Sequence, residues 1–309
     1  MRSTMPLNAA DMPDDAAPID LVTILYNCAD DIDRFLDCLL TQTDRNWRLT
    51  AVDNASGDGA AERLSARHDP RITLLRNAAN AGFARAANQG LRRAASVGGT
   101  FFVVINNDVA FAPGFLASFR AARAASGAEV ISPRIMNMHN PTQAWYAGGS
   151  IDRSWVLVNV HELDDPPDLR PVREVGFVSG CCLGLDRAVL ERVGLFDESF
   201  FVYWEDTDLC LRLAQAGIAM HYVREPVLLH ATAASSGGED SPVHITLYYR
   251  SYMQILRKHF GLRAMLHAMP RLLLREFNRR QPGWFARCLR IAVAMLRGCV
   301  APLRPPARL

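Results

Sequence analysis

The chain has 309 residues, of which 50% are hydrophobic and 21% charged, the balance of a globular protein with a sizeable core. Its formal net charge is only +2. No window reaches the ~18 consecutive apolar residues of a membrane-spanning helix, which argues against an integral membrane protein and favours a soluble or peripheral one.

Strand and helix patterns alternate four times in the first half of the chain. Residues 1–18 have no apolar signal segment and are too acidic for a transit peptide, so they are predicted to be a disordered leader. Short apolar, β-branched runs predict strands at 21–27, 47–53, 71–76 and 100–106. Helical spacing predicts helices at about 32–40, 59–68 and 83–96, and Pro113 marks the start of a fourth. This alternation predicts an α/β fold with a mostly parallel sheet covered by helices on both faces.

The pattern changes in the second half of the chain. Residues 144–178 are predicted to form short strands and loops. Helices are predicted at 186–193 and at 207–216, where Gly217 ends the second one.

Charge is distributed unevenly. Residues 255–309 carry twelve Arg or Lys and one acid, Glu276, a net charge of +11, while the rest of the chain carries −9. Arginines alternate there with Leu, Phe, Trp and Met, as in an amphipathic helix that lies in the plane of a membrane. We predict a basic amphipathic helical tail at 255–309 that binds an anionic membrane surface. The alternative is a basic helical cap packed on the acidic body. The tail has no module that indicates nucleic-acid binding.

The seven cysteines are odd in number and show no CxxC spacing. They argue against a disulfide framework and against a zinc site. We expect reduced, mostly buried thiols in a cytosolic protein.

Polar residues follow three of the predicted strands at their ends: Tyr26 and Asn27, Asp53 and Asn54, and Asn106–Asp108. Parallel α/β sheets bind ligands at the carboxyl ends of their strands. Any one of these groups is explained by turn chemistry. Three of them at one edge predict a binding site.

The residues at this edge indicate the kind of ligand. No GxGxxG follows the first strand and no GxxxxGK[ST] occurs, which argues against a dinucleotide site and a P-loop. Asp53 can accept the imide N–H of uracil or thymine, and Tyr26 can stack on the ring. Asp108 can hold a divalent cation, Mg²⁺ or Mn²⁺, against a diphosphate. A nucleoside diphosphate with a metal ion is therefore the predicted ligand.

Six segments, in this order, resemble the successive motifs of inverting glycosyltransferases of family 2, above all its rhamnosyltransferase-like branch: VTILYN, AVDNASGDG, NAANAGFARAANQG, VINNDV, residues 176–217 and PVLLH. The resemblance runs from about Leu21 to about Lys258. It implies the GT-A fold, here at 19–254, with a nucleotide half and an acceptor half. It also implies transfer of a sugar from a nucleotide diphosphate donor to an acceptor hydroxyl.

The resemblance assigns roles on the donor side. It implies that Tyr26, Asn27 and Asp53 bind the base and ribose. The other donor-binding residues that it implies are Gly82, Phe83, Asn88 and Asn107.

The metal site implied by the resemblance departs from the family pattern. Asp108 is the last acid of a DxD-type motif, but Asn106 and Asn107 stand where two-acid versions carry Asp. His230 matches a position where relatives supply a histidine to the metal or the donor phosphates; the alternative is a structural histidine at a strand end. The QxxRW signature is absent, which favours addition of one sugar, or a few, per encounter.

Three acids lie between aromatic residues and a leucine-rich run in FFVYWEDTDLCLRL (200–213). Acids in the first turn of a helix that begins near Thr207 stabilise it by roughly 0.3–1 kcal/mol each. That role is sufficient for Asp208. A carboxylate between aromatic walls loses hydration, however, which raises its pKa and makes it a better proton acceptor.

The resemblance assigns Asp206 as the catalytic base of this stretch. Glu205, beside it, is expected to bind the acceptor or to order the loop. Trp204 is expected to stack on an acceptor sugar or, alternatively, to pack in the core.

The resemblance implies an inverting glycosyltransferase of cell-surface polysaccharide assembly with a glycan or lipid-linked acceptor. By resemblance, dTDP-rhamnose is the leading donor and UDP-hexoses come next. The expected location is the cytoplasm or the inner face of the cell membrane. One alternative is a non-catalytic nucleotide-sugar-binding relative that acts as a partner. The other is a sugar-phosphate nucleotidyltransferase, which needs a basic Gly-rich loop where this chain has the acidic YNCADD.

Overall fold

The computed structural model describes residues 17–151, 159–161, 170–231, 241–279 and 284–309. The predicted leader, residues 1–18, lies outside the described residues except for its last two. The first half alternates strands and helices: β1 (Ile19–Leu25), α1 (Ala29–Leu40), β2 (Trp47–Asp53), α2 (Ala60–Ser65), β3 (Ile72–Arg76), α3 (Phe83–Ser96), β4 (Phe101–Ile105), β5 (Val109–Phe111) and α4 (Phe115–Ser126).

The second half contains more strands and then ends in helices. Its elements are β6 (Val130–Asn137), β7 (Asn140–Tyr146), β8 (Gly149–Ile151), β9 (Asn159–His161), β10 (Val172–Val175), β11 (Cys182–Asp186), α5 (Arg187–Val193), α6 (Glu205–Gln215), β12 (Met220–His230), α7 (Pro242–His259), α8 (Gly261–Arg279) and α9 (Trp284–Val300).

One mixed sheet organises the described residues, in the order β10-β12-β6-β11-β4-β1-β2-β3, with β5 on β12 and β7 on β6. β4, β1, β2 and β3 are parallel to one another. β11 is antiparallel to both β4 and β6. The α/β prediction is confirmed, and the sheet is parallel through the part built by the first four strands and mixed beyond it.

Several element boundaries differ from the prediction by one to three residues, and the starts of β1 and α6 are the most informative. β1 begins at Ile19 rather than at residue 21, because Arg48 binds Asp20 with both Nε and Nη2, at 2.7 and 2.8 Å, and satisfies an acid within the strand. α6 begins at Glu205 rather than near Thr207. Its N-cap residue is Trp204, in the left-handed region at φ +72° and without a side-chain cap, so the usual capping signal is missing.

The prediction also missed β6, which is a central strand. Its sequence contains Pro133, which ordinarily argues against a central strand. Here the pairing of β6 with β12 shifts register directly after Pro133 pairs with Val223, so the proline lies at an irregularity of the ladder.

A large core surrounds the sheet, and a second cluster lies beneath the C-terminal helices. Phe200 and Trp204 belong to the second cluster, together with buried side chains of α7, α8 and α9. The predicted domain boundary between 254 and 255 falls inside the continuous helix α7. In the part of the chain that the structure describes, no helix is long and apolar enough to cross a membrane. All seven cysteines are free.

Candidate active site

The carboxyl ends of the central strands meet at one edge of the sheet. Leu25, the last residue of β1, aligns with Asp53, the last residue of β2. Ile105, the last residue of β4, pairs with Cys182, the first residue of antiparallel β11. The loops after β1, β2 and β4 and the loop before β11 therefore share this edge.

Tyr26, Asn27 and Asp53 lie together in the loops after β1 and β2. Asn27 has a φ of +50°, and its side-chain carbonyl accepts a hydrogen bond from the backbone N–H of Gly57 at 2.9 Å. Asp53 accepts one from the N–H of Ser56 at 3.1 Å. Tyr26 is 41% exposed, so its ring is accessible to a ligand.

Gly82 and Phe83 join this edge to the aromatic stretch at 200–204. Gly82 has a φ of +82°, and a side chain there would collide with the backbone of Phe201. The N–H of Phe83 donates to the carbonyl of Phe201 at 2.6 Å. The side chain of Asn54 donates to the carbonyl of Gly82 at 3.2 Å. A glycine is therefore required at position 82, where this edge of the sheet approaches the aromatic stretch.

Asn88 and Asn107 have structural bonds of their own. The Asn88 side chain is fully buried, accepts from the N–H of Phe196 at 3.0 Å and donates to the carbonyl of the same residue at 2.9 Å. Asn107 donates to the carbonyl of Ile24 at 2.6 Å and is 8% exposed. Asn88 thus lies beneath the site, where it fixes α3 to the segment before the aromatic stretch.

Asp108 and His230 face each other because β5, which begins one residue after Asp108, pairs with the end of β12. The Asp108 Oδ2 to His230 Nε2 distance is 3.2 Å. Burial would raise the pKa of Asp108, but the hydrogen bond and charge of His230 hold that pKa below its usual value. Burial would likewise lower the pKa of His230, but Cys181 and Asp108 raise it.

This pair can supply two ligands to a cation. Nδ1 of His230 is buried without a hydrogen-bond partner in the described structure. Among the described residues, no group of three or more His, Cys, Asp or Glu side chains could hold a metal by itself. Two protein ligands fit a cation whose remaining ligands are diphosphate oxygens and water.

Asp206 lies in the first turn of α6 and contacts the loop that precedes β11. Its Oδ2 accepts from the N–H of Gly180 at 3.1 Å, and its Oδ1 accepts from the N–H of Thr207 at 2.7 Å. A Cβ on Gly180 would stand 3.3 Å from Oδ2 of Asp206, so the glycine permits this close approach. The next residue, Cys181, accepts from the N–H of Asn106 at 2.9 Å. The loop thus runs from the candidate base to the start of the candidate metal motif.

Glu205 and Trp204 are more buried than Asp206. Glu205 is 7% exposed, and burial, followed by the charge of Asp206, raises the pKa of Glu205 to about 8. Trp204 is 6% exposed and packs against Tyr248 and Tyr252 of α7, with ring centroids 5.3 and 5.0 Å apart. This packing favours the alternative interpretation of Trp204 as a core residue.

Asp208 has a larger role than the helix start assigned to it. Its side chain is fully buried and binds Arg212, Lys258 and His259 at 2.8, 2.6 and 2.7 Å. Burial would raise the pKa of Asp208, but the bond from His259 and the charges of Arg212 and Lys258 hold it far below its usual value. This role could not be predicted from the sequence, because Lys258 and His259 lie about 50 residues away in the chain.

Comparisons with known proteins identify the family of the chain. The profile described as "Glycosyl transferase family 2" matches residues 20–194, more than half of the chain. The N-acetylglucosaminyl-diphospho-decaprenol L-rhamnosyltransferase of Mycobacterium tuberculosis is 29% identical over 85% of this chain and 96% of its own length. The dTDP-rhamnosyl transferase RfbF of Shigella flexneri is 24% identical over 74% of this chain and 77% of its own.

Solved structures show the fold. The mannosyltransferase PcManGT of Pyrobaculum calidifontis, in complex with GDP-Man and Mn²⁺, has a TM-score of 0.54 and 18% identity over 93% of this chain and 91% of its own. GalNAc-T7 with UDP, GalNAc and Mn²⁺ has a TM-score of 0.63 and 15% identity over 79% of this chain; the match spans about half, 48%, of that longer chain. The predicted GT-A fold is confirmed.

The sequence had assigned residues to the donor, the metal and the base. In the structure Tyr26, Asn27 and Asp53 lie at the shared sheet edge. Asp108 pairs with His230, and Gly180 lies against Asp206. The profile match covers β1 through the end of α5, where the donor and metal motifs lie. The chain belongs to glycosyltransferase family 2 and is a glycosyltransferase.

Proposed function

We propose that this glycosyltransferase moves L-rhamnose from dTDP-rhamnose to a hydroxyl of a lipid-linked glycan, with inversion at the anomeric carbon, in the assembly of a cell-surface polysaccharide. The names of the two curated relatives support the sugar, and the name of the mycobacterial one supports the lipid-linked acceptor. The observation that carries the proposal is the segment 180–182. Its Gly180 donates to Asp206, and its Cys181 accepts from Asn106, the first residue of the Asn106–Asp108 motif.

Inverting transfer requires one base on the face of the sugar opposite the leaving diphosphate. Asp206 takes the proton of the acceptor hydroxyl while that oxygen attacks the anomeric carbon. The bond to the diphosphate breaks in the same step. Asp206 is only partly buried, and the N–H groups of Gly180 and Thr207 orient its carboxylate, which supports this role.

The donor side requires a base pocket and charge stabilisation. In this proposal Tyr26 stacks on the thymine ring and Asp53 accepts its imide N–H. The exposure of Tyr26 and the bond from Gly57 to Asn27, which orders the loop between them, support this role. A divalent cation held by Asp108 and His230 would stabilise the negative charge on the departing diphosphate. The Mn²⁺ in the two related structures supports this assignment.

A thermal-shift panel tests the donor. Only ligands that bind the folded state raise its melting temperature, and a ligand at about 100 times its Kd adds about 2.7 kcal/mol of stability. We expect dTDP and dTDP-rhamnose with Mg²⁺ or Mn²⁺ to give the largest shifts, above UDP- and GDP-sugars. Asp108→Ala should abolish the metal-dependent part of the shift, and His230→Ala should reduce it.

The proposal has distinct ways to fail. A larger shift in melting temperature with a UDP-hexose than with dTDP-rhamnose would show that the donor is a UDP-hexose. Retention of anomeric configuration in the product would exclude single displacement by Asp206. Full activity in excess EDTA would show that Asp108 and His230 act without a metal.

A further inference from the structure

Helix α9 presents an apolar face to solvent. Phe285, Leu289, Val293, Leu296 and Val300 are between 39% and 81% exposed. They recur every three or four residues, so they lie along one side of the helix. We call these five residues the outer stripe. Helix α8 adds three exposed leucines, at 262, 266 and 274, that are 59% to 65% exposed.

The opposite face of α9 is fixed against the protein. Ile291, Ala294 and Met295 are buried in the second core cluster. Gly298 lies against the backbone of Arg250 in α7, where a larger residue would collide. Because this inner face is packed, the helix cannot rotate to hide the outer stripe. The exposed apolar side is therefore a stable property of the described fold.

Two arginines lie beside the outer stripe. Arg290 and Arg297 line an open groove of about 380 Å³ between α7 and α9, together with Leu289, Val293 and Thr246. Neither arginine side chain makes an ion pair or hydrogen bond with any residue that the structure describes. Helix α9 contains no acid. Unpaired cations next to exposed apolar side chains complement a surface that is anionic above and apolar below.

We propose that α9 is a membrane-docking helix that lies in the plane of an anionic phospholipid bilayer. The outer stripe enters the boundary between headgroups and acyl chains, and Arg290 and Arg297 bind lipid phosphates from the groove. At 17 residues the helix is about 25 Å long, enough to contact several lipids. A second copy of the chain fits this face less well, since a symmetric contact would bring arginines together without acids.

Vesicle flotation of the full chain tests the docking. We expect flotation with phosphatidylcholine vesicles that contain phosphatidylglycerol, little flotation with phosphatidylcholine alone, and weakening with salt. R290Q/R297Q should lower the partition coefficient about 30-fold. F285S/L289S should lower it about tenfold or more. R93Q/R192Q removes the same charge from the exposed surface of the body and should bind like the wild type.

Four results would overturn the proposal. The first is equal flotation with neutral vesicles, and the second is unchanged binding by R290Q/R297Q. The third is an equal loss of binding in R93Q/R192Q. The fourth is a chain that does not float in any form but is a dimer by light scattering, and that F285S/L289S converts to a monomer. The exposed substitutions should leave the melting temperature unchanged, which separates lost binding from lost folding. Because the readout is lipid binding, its failure would leave the proposed sugar transfer untouched.

Discussion

Glu205 and Asp206 are neighbours in the chain but lie in different surroundings. Aromatic residues were expected to desolvate the catalytic base, and the structure places that desolvation on Glu205, whose pKa burial raises to about 8. Asp206 is more exposed and accepts two backbone N–H groups.

Replacing Glu205 should change how stability depends on pH. A carboxyl whose folded-state pKa is raised holds its proton longer when folded, so wild-type stability falls as pH rises from about 4.5 to about 8. Glu205→Gln has no proton to lose at this position, so its stability lacks this decrease with pH. Relative to the wild type, the variant should gain up to a few kcal/mol in unfolding free energy between pH 5 and pH 8. Urea titrations at pH 5 and at pH 8 measure this difference in unfolding free energy.

The control for this prediction is Glu62→Gln, because Glu62 is a surface acid in the first turn of α2. It should follow the wild type between pH 5 and pH 8. Parallel stability curves for Glu205→Gln and the wild type would show that Glu205 is already ionised at low pH.

Gly180 supports Asp206 through the absence of a side chain. An added Cβ would stand 3.2 Å from Cβ and 3.3 Å from Oδ2 of Asp206, so Gly180→Ala should displace the carboxylate slightly. We expect transfer to fall about tenfold, because small misplacements of a reacting group are costly. Gly114→Ala, with nothing within 4 Å, should keep full activity. Equal transfer rates for Gly180→Ala and Gly114→Ala would show that Gly180 does not position Asp206 for transfer.

At this scale the sequence predicted the residues that follow strand ends. Tyr26, Asp53 and Asp108 could be located at one edge of the sheet because parallel strands bring their carboxyl ends together. The contact between Gly180 and Asp206 could not be predicted, since nothing local indicates which N–H a carboxylate accepts 26 residues away.

At the scale of elements, a buried ion cluster joins α6 to α7. Lys258 binds Asp208 at 2.6 Å and Asp197 at 2.5 Å, and both acids are fully buried. His259 and Arg212 complete the shell of Asp208. The helix that carries Glu205 and Asp206 is therefore fixed to α7 within one turn of the candidate base.

Asp208→Asn should destabilise the protein strongly. Removing one partner of a buried pair leaves the others uncompensated and costs about 3–5 kcal/mol. Asp33→Asn is the matched control, because Asp33 is 41% exposed and pairs with Arg63 and Arg67 on the surface, where the loss is at most about 1 kcal/mol. Urea denaturation compares the two, and equal midpoints would show that the cluster adds little stability.

Element types were predictable where the pattern was long and periodic. β2 and α3 were predicted with their observed bounds, because each has strong strand or helix periodicity. The start of α6 was not, because Trp204 caps it through an unusual backbone conformation rather than through a side chain. β6 was missed because the prediction has no means of placing Pro133 at an irregularity in a ladder.

At the scale of the whole molecule, the basic C-terminal segment is both a packed cap and an exposed surface. The inner face of α9 packs on α7, a helix without acids, while the outer stripe faces solvent. α7 in turn carries Lys258 and His259, which bind Asp208. A continuous path of packed helices thus connects the proposed docking helix with the proposed base. Composition gave the charge of the segment, and only the fold could show its two faces.

The most direct test of the account is sugar transfer by Asp206→Asn, measured beside Asp186→Asn. Asp186 is the N-cap of α5 and lies at the opposite end of β4, so it undergoes the same change at a helix start far from the site. We expect Asp206→Asn to lower transfer about 10²–10⁴-fold with donor affinity and melting temperature almost unchanged, while Asp186→Asn stays active. An active Asp206→Asn enzyme would contradict the assignment of Asp206 as the base.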